Sequence, residues 1–148
     1  MKLIINAIFL VVLYGGCTND NSKPYIKKDK ADIFIHLRSA INEGDGKAYN
    51  KAARYFSLES KDTEFYYYSV IMANKHNNPE AYFHLYRILK ANRKVNGVDL
   101  YGADKNSEKM SLFFLLKSYE LGYEQSELLV KNIFGNDTIP SSKSIFCD

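Results

Sequence analysis

The chain has 148 residues, is 46% hydrophobic and carries a formal net charge of +3 at pH 7. This length suits one domain with a substantial core. After residue 30 the basic and acidic side chains are equal in number. The composition therefore gives no support for nucleic-acid binding, which requires a basic face on the folded domain.

The N-terminal segment, residues 1–16, has the three parts of a secretory signal peptide. Lys2 is a short positive region, an apolar run follows from Leu3 to Leu13, and the small pair Gly15–Gly16 precedes Cys17. The apolar run is too short to be a stable membrane anchor. The sequence therefore predicts that this segment is removed during export.

The stretch Leu13–Cys17 resembles a lipobox, the processing site of bacterial lipoproteins, although Tyr14 stands where that family prefers an aliphatic residue. The resemblance implies that Cys17 carries a lipid. Each buried CH₂ of an acyl chain contributes about 0.8 kcal/mol, so several chains hold a protein on a membrane almost permanently. By resemblance to sorting rules, Thr18 after the cysteine favours the outer membrane, facing the periplasm. The alternative is an ordinary cleaved signal peptide with an incidental cysteine.

Two further segments flank the domain in this interpretation. Residues 17–30 form a flexible, lysine-rich linker that could approach anionic headgroups, or a plain solvated linker. Residues 135–148 form a loose C-terminal tail. If Cys17 is lipidated, Cys147 has no partner within the chain, so pairing with another molecule and a dispensable surface thiol both stay open.

The rest of the chain has apolar residues at three- and four-residue spacings, which predicts helices and no strands. The predicted helices span 31–43, 46–57, 62–76, 79–93, 108–121 and 124–134. Gly44 is placed to end the first helix and Asp45 to cap the second, while Asn78–Pro79 is an N-cap followed by a proline that a first turn tolerates. Ser60 and Ser107 are further N-cap candidates.

An internal repeat organises these helices. Three segments share one pattern, in which a central Gly or Asn lies between one small residue at each end of the segment. The segments are Ala40–Ala48, Ala73–Ala81 and Ser118–Ser126. Small residues let antiparallel helices approach closely, and Gly or Asn can adopt the left-handed conformation that ends a helix. The second and third segments are further apart in the sequence than the first and second, which places an insertion in Lys94–Ser107. The sequence therefore predicts an all-α domain of three helical hairpins.

This pattern resembles Sel1-like repeats, relatives of the tetratricopeptide repeat, over about residues 31–134. The clearest matches are residues 108–129 and 65–83, although serines replace two of the usual alanines and Asn77 replaces a glycine. The resemblance implies a short right-handed solenoid of antiparallel hairpins that binds another protein. An unrelated six-helix bundle is the alternative.

The sequence offers little sign of catalytic or metal chemistry. None of the histidines has a second ligand or acid at a useful spacing, and His84 is expected on a helix surface; the three are His36, His76 and His84. Four oxygen ligands cluster near one loop, namely Asp99, Asp104, Asn106 and Glu108. Their spacing matches no calcium motif, and a solvated loop is favoured. The chain is therefore predicted not to be an enzyme and to need no cofactor.

Tyr and Arg recur on the second helix of the predicted hairpins, which in tetratricopeptide-like arrays lines the concave surface. The repeat pairs Tyr49 with Tyr82 and also pairs two arginines. These residue types most often carry binding energy at interfaces. The predicted protein-binding groove comprises Tyr49, Arg54, Tyr82, Tyr86, Arg87 and Lys90. Ordinary solvent-exposed helix faces are the alternative.

The resemblance to small Sel1-like lipoproteins also implies a biological role. Such proteins are often immunity proteins, which bind and neutralise a toxic effector, such as a phospholipase delivered by a neighbouring cell. The alternative is a scaffold or assembly factor of an envelope complex. An enzymatic role in cell-wall hydrolysis lacks a catalytic constellation in this sequence.

Overall fold

The computed structural model describes residues 30–91, 94–95, 98–99, 104–135 and 138–146. The predicted signal peptide, Cys17 and Cys147 lie outside these residues. The helices are α1 (Lys30–Glu43), α2 (Gly46–Leu58), α3 (Asp62–His76), α4 (Pro79–Lys90), α5 (Lys105–Glu120) and α6 (Glu124–Phe134), followed by a 3₁₀ helix, α7 (Ser142–Phe146). The predicted all-α class is confirmed. None of the described helices is both long and apolar enough to cross a membrane.

The insertion between α4 and α5 contains a short strand pairing for which the sequence shows no pattern. There, β1 (Lys94–Val95) and β2 (Val98–Asp99) form a two-residue antiparallel ladder. The pairing is too short to leave a periodic pattern of alternating residues, which is the signal that reveals longer strands in a sequence.

The first two hairpin turns follow the predicted capping chemistry. Gly44 has a φ of +75° and ends α1, and the Asp45 carboxylate accepts hydrogen bonds from the first turn of α2. The Asn78 side chain accepts a hydrogen bond from the Ala81 N–H, with Pro79 next in the chain. These caps satisfy backbone donors that a helix start leaves without partners.

Both serine N-cap candidates are wrong. Ser60 lies in the left-handed region with a φ of +56°, and Lys61 occupies the N-cap position of α3 without a side-chain cap bond. Asp104, rather than Ser107, caps α5, so this helix begins three residues earlier than predicted. The carboxylate accepts bonds from two backbone N–H groups at once, which makes it the stronger cap.

Consecutive helices pack on one another, and α1 also contacts α3. One apolar cluster lies mainly among the four helices α1, α2, α3 and α4. A second lies between α4, α5 and α6 and consists of Phe83, Leu115, Leu116 and Val130. The small residues of the repeat lie at the helix contacts: Ala40, Ala73, Ala81, Ser118 and Ser126 are all 0% exposed. A larger side chain at these positions would force the helices apart.

The C-terminal segment is docked instead of forming the loose tail that was predicted. The Glu120 carboxylate accepts hydrogen bonds from the Ser142 N–H at 2.6 Å and from its hydroxyl at 2.8 Å. The Phe146 ring lies 5.5 Å from that of Phe113, and α7 packs along α5. Burial alone would raise the pKa of Glu120, but the Ser142 hydrogen bonds hold it below its usual value.

Candidate functional site

The candidate site is a groove between α2 and α4. Helical spacing puts Glu80, His84 and Arg87 on one side of α4, and contacts to α2 show that this side faces it. The Asn50 amide donates to the Glu80 carboxylate at 3.1 Å. The Tyr49 hydroxyl lies 2.9 Å from His84 Nδ1. We call this region the α2–α4 groove.

One end of the groove opens into a cavity of about 80 Å³. Its buried wall is apolar and consists of Phe65, Ile88 and Ala53. Its polar lining comes from Ser57, Asp62, His84 and Arg87. The volume is roughly half that of the ~150 Å³ cavity that can hold a benzene molecule. The space therefore suits one side chain of moderate size.

A chain of buried hydrogen bonds supports the floor of the groove. The Ser69 hydroxyl donates to the Phe65 carbonyl at 3.1 Å and lies 2.9 Å from the Tyr49 hydroxyl. Since Ser69 has only one proton to donate, Tyr49 donates to Ser69, and His84 Nδ1–H donates to Tyr49. The His84 proton is thereby assigned to Nδ1, which leaves Nε2 as an acceptor.

His84 is therefore not the helix-surface residue that the sequence suggested. Its side chain is 17% exposed and its ring packs against Tyr49 and Phe65. Burial and, to a smaller extent, the Arg87 guanidinium lower the pKa of His84 to about 4, while Asp62 opposes this shift. Nearby, burial raises the pKa of Glu80. At neutral pH His84 is uncharged and holds α4 against α2.

Positive charge is concentrated on α2, one of the two helices that form the groove. Helix α2 contains three basic residues and no acidic one, and α4 contains two basic residues and one acidic one. The basic residues are Lys47, Lys51, Arg54, Arg87 and Lys90, and all five are exposed. The overall balance of charge in the domain conceals this segregation, which a count made helix by helix would have revealed.

The predicted binding residues fall into two groups. Arg54, Arg87 and Lys90 are exposed, and Tyr86 is half-buried between the two apolar clusters. Tyr49 and Tyr82, however, are 0% and 7% exposed. Their placement on a binding surface is wrong, because large aromatic rings gain more by filling the space between helices. Tyr49 instead supports the groove from beneath, and Tyr82 packs against Phe114.

Within the described part of the chain, no group of three His, Cys, Asp or Glu residues could hold a metal ion. In the loop considered for calcium, the Asp104 carboxylate accepts bonds from the backbone N–H groups of Asn106 and Ser107. It also accepts a bond from the Ser107 hydroxyl at 2.7 Å. This carboxylate acts as a helix cap, and the Asp99 side chain lies outside the described residues.

Comparison of the chain with protein-family models, with curated proteins and with solved structures finds no match. The Sel1-like resemblance over residues 31–134 stays a prediction from sequence. The same holds for the signal peptide and for lipidation of Cys17.

Proposed function

We propose that this chain is a membrane-anchored, periplasmic protein-binding module of the immunity type, which neutralises a toxic effector. The observation that carries the proposal is the α2–α4 groove. Exposed Arg87 lines a cavity that has an apolar buried wall and is the size of one side chain, and exposed Arg54 lies on the adjacent helix α2. Arginines around an apolar pocket are typical of the residues that dominate protein interfaces.

The proposal includes a finer account of the fold, a short right-handed solenoid of three hairpins. The contacts of α1 with α2, α3 with α4 and α5 with α6 support three hairpins. Contacts from α1 to α3 and from α4 to α5 support stacking of each hairpin on the next. Repeat arrays of this kind present an extended surface to a partner.

The anchor in this proposal is a lipid on Cys17 after removal of residues 1–16, in the outer membrane. The supporting observation is the order of charged, apolar and small residues before Cys17, which is that of a secretory signal peptide. A chain running from Cys17 to Lys30 reaches at most ~45 Å. The groove would thus stay close to the membrane surface, where an effector such as a phospholipase acts.

The test is a cross-linked pull-down with the tagged full-length chain from envelope extracts mixed with the secreted proteins of a competing strain. A single toxin-like partner, identified by mass spectrometry, is the expected result. The matched control is the double variant Arg54→Glu/Arg87→Glu, which should lose that partner. A set of envelope components would instead favour a scaffold or assembly factor, and recovery of no partner would contradict both roles.

A further inference from the structure

We propose that a second pocket, at the start of α1, is filled by the side chain of Tyr25, from the segment that precedes this helix. The pocket lies between α1, α2 and the start of α3 and is lined by Ile33, Phe34, Tyr55, Phe56, Lys61 and Glu64. We call it the α1 pocket. It is separate from the α2–α4 groove, and its filling does not depend on the proposed partner.

The α1 pocket leaves apolar side chains without full cover. Phe34 is 58% exposed, and the half-buried Tyr55 ring packs edge-on against Phe56. The pocket has a volume of about 170 Å³, slightly more than the ~150 Å³ of a cavity that holds a benzene molecule. One aromatic ring therefore fits it, and covering these side chains would remove apolar surface from water.

The course of the chain brings the preceding segment to this pocket. The lining residues belong to the beginning of α1, the last turn of α2 and the beginning of α3. Helix α1 starts at the same end of the domain, at Lys30, four residues before Phe34. Four helical residues rise only about 6 Å, whereas the five residues from Tyr25 to Lys30 can span up to ~17 Å. The tyrosine can therefore reach the pocket by turning back along the first turn of α1.

The segment before α1 offers one aromatic side chain. Within residues 18–29 the large apolar or aromatic residues are Tyr25 and Ile26, and the others are polar, charged or proline. A tyrosine matches the pocket better than an isoleucine, because its ring suits the aromatic wall and its hydroxyl can meet the polar rim formed by Lys61 and Glu64. Attachment a few residues away also gives it a high effective concentration at the pocket, which a second copy of the chain lacks.

Docking of Tyr25 would shorten the proposed membrane tether. The chain from Cys17 to Tyr25 reaches at most ~28 Å, compared with ~45 Å from Cys17 to Lys30. The end of the domain at which α1 begins would thus be held close to the membrane. This consequence rests on the proposed lipidation of Cys17, whereas the docking itself does not.

The first test uses fluorescence, because the chain contains no tryptophan and a single introduced one reports on its own surroundings. In the full-length chain, Tyr25→Trp should emit at shorter wavelength, and be quenched more slowly by acrylamide, than the control Ser22→Trp. Adding Phe34→Ser to Tyr25→Trp should abolish this difference. Adding Ile35→Ser should not, because Ile35 is similarly exposed on α1 but does not line the pocket.

The second test keeps the native ring and measures urea denaturation. Tyr25→Ala should lower the midpoint of unfolding, and Tyr25→Phe, which retains the ring, should lower it less. In a Phe34→Ser chain, Tyr25→Ala should lower the midpoint no further, because substitutions of two residues in contact are not additive. In an Ile35→Ser chain its effect should be unchanged.

Three results would overturn the proposal. Additive effects of Tyr25→Ala and Phe34→Ser on the midpoint would show that the two side chains do not meet, even if the larger tryptophan is shielded. Short-wavelength emission that survives Phe34→Ser would place the tryptophan outside the α1 pocket. Emission that changes with protein concentration would identify a second copy of the chain as the occupant.

Discussion

The first and the last hairpin turns have the same repeat signature but different surroundings. Gly44 and Gly122 occupy equivalent positions, and their φ angles are +75° and +81°. A Cβ atom on Gly44 would lie 2.7 Å from His76 Nδ1, whereas a Cβ on Gly122 would meet nothing within 4 Å. The backbone conformation is thus a local property of the turn, while the room around it is set by the neighbouring hairpin.

The contact at Gly44 exists because α3 reaches back to the end of α1. His76 Nε2 lies 2.7 Å from the Ile41 carbonyl, and the Lys75 ammonium donates to the same oxygen at 3.0 Å. The last carbonyls of a helix lack partners within it, so these side chains stabilise the end of α1. The first turn is therefore held by another hairpin, and the last turn is not crowded in this way.

The largest expected effect comes from Gly44→Ala. A non-glycine residue at this φ costs about 1 kcal/mol, and displacing the His76 ring from the Ile41 carbonyl costs about 1–2 kcal/mol more. We expect a loss of about 2–3 kcal/mol in the free energy of unfolding, measured by urea denaturation. Gly122→Ala is the matched control and should lose only about 1 kcal/mol. Equal losses would show that the His76 ring yields without cost.

The second prediction concerns the pH dependence of stability, which we attribute to His84 on α4, in the first two hairpins and not in the last. The pKa of His84 falls from an ordinary 6.5 to about 4 in the folded chain. Between these values the unfolded chain binds more protons, so stability that is complete above pH 6.5 is lost as the pH falls toward 4. His84→Gln keeps a donor for Tyr49 but does not titrate.

Denaturation of both chains at pH 7 and pH 4.5 measures this contribution. On going from pH 7 to pH 4.5, the native chain should lose about 2–3 kcal/mol more stability than His84→Gln. Parallel pH dependences of the two chains would show that His84 is already protonated or solvated in the native state. They would also weaken the assignment of its proton to Nδ1.

The smallest effect is expected in the last hairpin. The Ser118 hydroxyl is buried and donates to the Pro79 carbonyl of α4 at 2.7 Å. Ser118→Ala removes this bond between helices and should cost about 1 kcal/mol. Ser126 donates instead to the Tyr123 carbonyl at the start of its own helix. Ser126→Ala should therefore change stability by less than about 0.5 kcal/mol, and equal costs in the two variants would refute the bridging role of Ser118.

The sequence predicted the elements of the fold well and the site only in part. Four of the six predicted helices agree with the structure to within one residue at both ends. The end of α1 and the starts of α2 and α4 were predicted because Gly44, Asp45 and Asn78 act through bonds to their immediate neighbours. Exposure of Arg54, Arg87 and Lys90 also agrees with the prediction. These are properties of helical periodicity and local capping, which a single sequence contains.

The errors about burial and about the C-terminal segment have a common physical origin in contacts between distant residues. Tyr49 and His84 are brought together across 35 residues, and Glu120 holds Ser142 across 22. No local pattern indicates that a tyrosine will fill an interior gap or that a serine-rich tail will meet a carboxylate. The excess of positive charge on α2 was available from the sequence once the helices were known.

The sequence by itself determined the helices, the caps at Gly44, Asp45 and Asn78, and the small residues at the hairpin turns. It also contains the N-terminal pattern from which lipidation of Cys17 is predicted. Only the tertiary structure decided which aromatic rings are buried, where His84 lies and how α2 and α4 enclose a cavity. The reason is that capping and periodicity depend on residues a few positions apart, whereas burial and pKa depend on which helices pack together.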